Sequence, residues 1–275
     1  MKKSIRNWGL LGLALLGFAG LNAQEFGIQL YSLRNQFQED VEGSLAQIRD
    51  WDITYIEGGG TYGYSQDEFL GLLKKYGLKT ASVGTSYDTL RDDPASIIPQ
   101  AKAFGATYVM CAWIPHEGNT FGLEETEAAI EVFNRAGKVL ADAGLTLAYH
   151  PHGYEFRPHG NGTLFDLMAQ QADNYAFEMD IYWAYHGGAD PIELLNKYPD
   201  KFVLLHLKDM EHGVTGNNTG HEDVETNVVL GTGQIDVGAI VKRSAELGIK
   251  YMFIEDESSR VVEQVPQSLE FLKGL

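Results

Sequence analysis

Apolar runs in this 275-residue chain repeatedly close on side chains that can bind a metal or move a proton. Leu147-Ala148-Tyr149 leads into His150-Pro151-His152-Gly153-Tyr154-Glu155-Phe156, and Phe177-Glu178-Met179 into Asp180. Leu204-Leu205 leads into His206-Leu207-Lys208-Asp209, Phe253-Ile254 into Glu255-Asp256-Glu257, and Ile56 into Glu57 and three glycines. A single His or Asp at such a place is most often a hydrogen-bonding cap. Imidazoles and carboxylates converging from several runs are what a divalent cation with mixed nitrogen and oxygen ligands needs. An unpaired carboxylate in a dry interior is costly, whereas several around a cation are not. Of the eight histidines, His150, His152, His159, His186, His206, His212 and His221 all lie in the second half, and His116 follows Trp113-Ile114-Pro115. The one cysteine, Cys111, excludes an intramolecular disulfide and any Cys-rich zinc or iron–sulfur centre.

The elements that would position these groups alternate β-rich runs with longer amphipathic stretches. Strands are read at Phe26–Ser32, Ile53–Glu57, Lys79–Gly84, Thr107–Ala112, Leu145–His150, Ala176–Ile181, Phe202–Leu207 and Tyr251–Glu255. Helical patterns run over Gln66–Lys75 and Glu124–Ala143, the second with Ala128, Ala129, Val132, Ala136, Val139 and Leu140 on its apolar stripe. Gly77, Gly105, Gly144 and Gly248 each precede a strand, where a left-handed helix cap would place them. Eight strand–helix units in about 250 residues match an α/β fold of the (β/α)8 TIM barrel type, in which chemistry gathers at the C-terminal strand ends. An open doubly wound sheet is the runner-up, but no Gly-rich dinucleotide loop follows the first strand. The long segment from Asp209 to Gly233 follows the seventh strand and would hang over the barrel mouth.

With 38 acidic against 21 basic residues the formal charge is −17, and no basic cluster offers a nucleic-acid or anionic-membrane surface. Residues 1–23 read as a signal peptide: Lys2, Lys3 and Arg6 precede an apolar stretch from Gly9 to Leu21, with cleavage after Ala23. That leaves a single domain, residues 24–275, working in the periplasm or outside the cell, with no membrane contact after cleavage. A homo-oligomer is left open. Tyr31, Tyr62, Tyr87, Trp113, Tyr154, Tyr182 and Trp183 are read as rim aromatics, about half of which would stack on a sugar.

On Gly27-Ile28-Gln29-Leu30-Tyr31-Ser32-Leu33-Arg34, Ile56-Glu57-Gly58-Gly59, Tyr149-His150-Pro151-His152-Gly153-Tyr154-Glu155-Phe156, Asp180-Ile181-Tyr182-Trp183, His206-Leu207-Lys208-Asp209-Met210 and Ile254-Glu255-Asp256-Glu257, the chain resembles the sugar phosphate isomerase/epimerase family. These are xylose isomerase-like TIM barrels, and the likeness is to exported Bacteroidetes-type members. The resemblance implies a divalent cation, Mn or Zn foremost with Mg or Co also open, on a Glu, Asp, His, Glu set from strands five to eight. Asp180, His206 and Glu255 match the last three positions. Where many relatives end strand five in Glu this chain has His150, so Glu155 folds back as the ligand or His150 binds directly. Glu155 is taken first, leaving His150 and His152 for substrate or proton transfer. Trp183 and Gly84 stand where some relatives carry histidines.

A cation holding a carbonyl oxygen and the adjacent hydroxyl makes the hydrogen between them easier to remove. The expected activity is isomerisation or epimerisation of a non-phosphorylated sugar or keto-sugar. Glu255 and Glu155 are taken as metal-bound candidates for acid/base work, His150 and His152 as the second proton-transfer group, Lys208 as the stabiliser of enolate charge, and Glu57 as a substrate-hydroxyl or proton partner. Lys208 has a second reading, as no more than the partner of Asp209 or a neighbouring acid. Elimination or hydration of 3-keto-glycosides, as some exported relatives perform, is the first alternative, and a sugar-binding barrel without turnover is the second. Zinc-dependent apurinic endonuclease chemistry is disfavoured by the negative charge.

Overall fold

The structure, a computed structural model, describes residues 24–275; the expected signal peptide lies outside the described residues. Eight strands form a closed, all-parallel barrel: β1 Glu25–Gln29, β2 Tyr55–Glu57, β3 Lys79–Gly84, β4 Tyr108–Cys111, β5 Thr146–Tyr149, β6 Ala176–Asp180, β7 Phe202–Leu207 and β8 Tyr251–Ile254. Each is followed by a principal helix: α1 Val41–Asp50, α2 Gln66–Tyr76, α3 Ile98–Phe104, α4 Leu123–Asp142, α5 Leu164–Gln170, α6 Pro191–Lys197, α7 Val237–Glu246 and α8 Val261–Lys273. The chain is therefore a (β/α)8 barrel, with β1 closing on β8 through the register Phe26–Met252 and Ile28–Ile254.

Strand periodicity divides each strand between two cores. Residues such as Ile28, Ile56, Val109, Leu147, Met179, Leu205 and Met252 point outward and pack under the helices. Ala81, Ala148, Leu204 and Phe253 point inward and, with Tyr55, Tyr108 and Tyr251, plug the lower barrel. Gly27 on β1 makes room for that plug: a Cβ there would lie 2.5 Å from the Tyr55 carbonyl oxygen and 2.7 Å from the Phe253 ring. Two residues above the plug on the same inward face come His150 over Ala148, His206 over Leu204 and Glu255 over Phe253. An apolar floor thus carries a polar layer at the C-terminal end.

The first strand is shorter than its pattern suggests. Gln29 ends it because its side chain accepts the Tyr31 amide at 3.0 Å, turning Leu30–Leu33 into a 3-10 helix. On α4 the buried stripe runs through Ala129, Ile130, Val132, Phe133, Ala136 and Leu140, while Ala128 faces solvent. The four cap glycines have φ of 71°, 70°, 77° and 80° in chain order, the left-handed values that favour glycine.

The long segment after β7 is folded down rather than loose. Asp209–Met210 pairs antiparallel with Asn227–Val228. The Asp209 carboxylate accepts amides from Met210, Gly231, Gly233 and Ile235 at 2.8–3.2 Å. Arg157 donates to the Asn218 carbonyl, and Tyr182 and Thr226 share a 2.7 Å hydroxyl contact. Among the described residues no helix is long and apolar enough to cross a membrane.

Candidate metal centre and substrate cavity

The C-terminal mouth opens into a cavity of about 570 Å³ whose wall includes Gln29, His150, His152, His206, Glu255 and Glu257. His150, Asp180, His206 and Glu255 each offer one ligand atom there, all within 4.8 Å of one another and all four residues buried. His150 Nε2 lies 3.4 Å from Asp180 Oδ2, and His206 Nδ1 lies 3.3 Å from Glu255 Oε2. Those separations match the edge of a tetrahedral shell whose bonds are about 2.1 Å. Both ring nitrogens of His150, Nδ1 of His206 and Oδ2 of Asp180 are buried with no hydrogen-bond partner. Buried polar atoms are normally satisfied, so the donor set fits a divalent cation. Two neutral imidazoles and two carboxylates would also balance its charge.

Each ligand type owes its aim to local structure. Asp180 closes β6 and caps the helix Ile181–His186, accepting the Tyr182 and Trp183 amides on Oδ1 at 2.8 and 3.0 Å and freeing Oδ2 toward the axis. Burial opposes ionisation of Glu255, but Lys208 and His206 outweigh it and hold its carboxyl well below the usual range. Burial likewise opposes charge on His206, and the surrounding Glu178, Glu255 and Glu57 overcome it and raise its pKa.

Glu155 does not join this group. Gly153, at φ 102°, starts the 3-10 turn Tyr154–Phe156, which folds the Glu155 carboxylate back under the strand. One oxygen there takes the Tyr149 hydroxyl and the other the His152 amide at 3.0 Å. Burial pushes this carboxyl up to about 7. Of the two strand-five candidates, the structure brings His150 to the cluster.

Glu57 is also placed differently from its expected role against substrate. It is 0% exposed and lies behind His206, receiving Gln29 Nε2 at 3.0 Å and facing His206 Nε2 at 2.5 Å. Lys208 is 3% exposed and bonds Glu255 at 3.4 Å and Glu257 more closely; Asp209 is not its partner. Burial would lower the Lys208 pKa, but Glu255 and Glu257 raise it above the ordinary lysine value. His152 lines the cavity beside His150, ring centroids 4.6 Å apart, and burial, with His150 beside it, lowers its pKa below the usual histidine range.

Glu178, Gln29 and Glu257 escaped the sequence reading as site residues. Glu178 stands two residues before Asp180 and so shares its inward face, a period-two signal present in the sequence. Of the rim aromatics, Tyr31, Trp113 and Trp183 line the cavity, with Tyr31 54% and Trp113 45% exposed. Tyr154 and Tyr182 are buried, Tyr62 stacks on Phe37, and Tyr87 packs against Phe133. His116 stacks on Trp113, His186 bonds Glu222 at 3.0 Å, and His221 reaches the cavity from the long loop.

The sequence profile described as "Xylose isomerase-like TIM barrel" matches residues 45–275. The chain belongs to this family. A curated relative, inosose dehydratase from Geobacillus kaustophilus, is 31% identical over 98 residues, 33% of this chain and 29% of its own length. The chain therefore spans under a third of that curated relative. The xylose isomerase-like barrel also superposes on a sugar phosphate isomerase/epimerase from Parabacteroides distasonis with a TM-score of 0.75 at 23% identity, covering 91% of this chain and 94% of that one. The IOLI protein "with a binding zinc atom" gives a TM-score of 0.71 at 14% identity over 91% and 97% of the two chains.

Proposed function

We propose that this xylose isomerase-like barrel is a divalent-metal-dependent enzyme that moves a proton next to a carbonyl on a non-phosphorylated sugar or keto-sugar. The carrying observation is that ligand atoms of His150, Asp180, His206 and Glu255 gather within 4.8 Å of one another, with those of His150, Asp180 and His206 unpartnered. The zinc of the structurally similar IOLI protein supports a cation of this kind. Bound there, a divalent ion supplies Lewis acidity toward a substrate carbonyl and hydroxyl.

The chain's own residues supply the rest. His152 is neutral, faces the cavity and has its Nδ1 unpartnered, so it is placed to accept a proton. Glu255 stays ionised beside Lys208, whose ammonium fixes the negative charge from behind. Glu155 holds the His152 backbone. Among the described residues the cavity wall carries Glu222, Glu255 and Glu257 and no Lys or Arg, which opposes a phosphate dianion and favours a neutral sugar. Tyr31, Trp113 and Trp183 offer aromatic faces for the apolar side of a ring. A free sugar also accords with the exported setting that residues 1–23 suggest.

Isomerase or epimerase is the leading outcome, in line with the Parabacteroides structure. Elimination shares the first proton removal, and the dehydratase match supports it as the second reading. The test follows aldoses, ketoses and 3-keto-glycosides by NMR in deuterated water, with and without added metal. Deuterium entering the carbon beside a carbonyl only with metal supports the proposal, and a conjugated enone would assign elimination. Exchange that persists in metal-free protein, or no exchange on any sugar, overturns it.

A further inference from the structure

Among the described residues, His206 is the one side chain shared by two buried clusters. Its Nδ1 faces Glu255 in the candidate cation group, and its Nε2 faces Glu57 at 2.5 Å with Glu178 at 3.3 Å. Glu57, Glu178 and His206 are themselves close enough to invite a second cation. The 2.5 Å separation argues otherwise: two ligands on one cation with bonds of about 2.1 Å stand roughly 3 Å or more apart. It is a hydrogen-bond distance, and since the same Glu57 oxygen already accepts from Gln29 Nε2, His206 Nε2 is assigned as the donor.

The same contact fixes a longer chain of hydrogen bonds. The Tyr31 amide donates to Gln29 Oε1 at 3.0 Å, which settles which way the Gln29 amide points. Its Nε2 must then face Glu57 Oε2, 3.0 Å away, the same oxygen that accepts from His206. These groups come from β1, β2 and β7, and Gln29, Glu57 and His206 are all buried. A carboxylate that takes the other ring N–H of a metal-binding histidine sets that ring's tautomer and aim.

We propose that Gln29 and Glu57 are positioning residues that hold His206 with its Nδ1 lone pair toward the cation site; this rests on the reading of His150, Asp180, His206 and Glu255 as its ligands. Glu57 sets the tautomer, and Gln29 sets Glu57. Glu178 lies 3.3 Å from the same Nε2 but makes no hydrogen bond at either oxygen, so its charge acts on His206 without setting the tautomer.

The experiment measures zinc affinity of the full chain by chelator competition, alongside the visible spectrum of the cobalt-loaded protein and the melting temperature of the metal-free form. Glu57→Gln should weaken zinc binding about 10–100-fold and change the cobalt spectrum, while the metal-free melting temperature stays within a few degrees. Gln29→Leu should weaken it several-fold, and serves alone if Glu57→Gln does not fold. Glu178→Gln should leave the affinity within about threefold. Wild-type affinity in both Glu57→Gln and Gln29→Leu, with tight one-to-one binding in the parent, overturns the relay and leaves the ligand set standing. Equal losses in Glu178→Gln and Glu57→Gln also overturn it. A parent chain that binds no zinc or cobalt overturns the ligand set and the relay together.

Discussion

Lys208→Met removes one charge from the floor of the mouth while keeping most of the volume of the lysine stem, so its effect isolates electrostatics from packing. The Lys208 side chain is 2% exposed and that of Glu255 8%, so solvent screens little of their interaction. Deleting one partner of a buried ion pair costs about 3–5 kcal/mol, because the other charge stays buried. At roughly 2–4 °C per kcal/mol for a domain of this size, the metal-free variant should melt roughly 6–20 °C below the parent at pH 8. The pH dependence follows from Glu255. In the parent its folded pKa is depressed, so its stabilisation is present above the unfolded value near 4.5 and is lost only as pH falls through the lower folded value. Without Lys208 the carboxyl loses the largest of the charges that hold its pKa down, takes up a proton more readily in the folded state, and the deficit should grow as pH rises through the variant's folded value. Adding Glu255→Gln to Lys208→Met should recover part of the loss, since these neighbours couple. The assay is thermal unfolding by circular dichroism across pH in metal-free protein. A Lys208→Met melting temperature within about 2 °C of the parent at pH 8 would refute the reasoning.

Three further outcomes follow from the same geometry. His150→Ala should lose bound zinc in elemental analysis whereas Glu155→Gln should keep it; the reverse pattern would return the strand-five position to Glu155. Burial raises Glu155 to about 7, so the parent loses stability as pH climbs from about 4.5 through 7, and Glu155→Gln should flatten that slope in denaturant titrations; an unchanged slope would contradict it. Gly27→Ala puts a methyl against the Tyr55 carbonyl and the Phe253 ring, and should cost about 1–3 kcal/mol by overpacking, measured by urea unfolding; a neutral result would show that the lower barrel can relax.

Much of the site was legible because a barrel strand has a period of two and ends where chemistry begins. Asp180, His206 and Glu255 close apolar runs and arrive together for that reason. The same period places Glu178 beside Asp180 and Lys208 beside His206. What the pattern could not show is how the chain turns after a strand ends. Glu155 is five residues past His150, and the Gly153 turn folds it back onto Tyr149 and the His152 amide rather than toward the axis. Glu57 ends a three-residue strand with a register shift at Ile56/Glu57; whether it faced substrate or the His206 ring depended on a partner 149 positions away. Aromatic types alone likewise did not separate Tyr31 and Trp113, at the mouth, from Tyr154 and Tyr182, in the core.

The cation site itself is tested most directly by anomalous diffraction from crystals of the protein grown with zinc or manganese. One anomalous peak about 2.0–2.2 Å from atoms of His150, Asp180, His206 and Glu255 is the predicted result. A peak ligated by Glu155 in place of His150, or no peak among these four residues at saturating metal, would contradict the account.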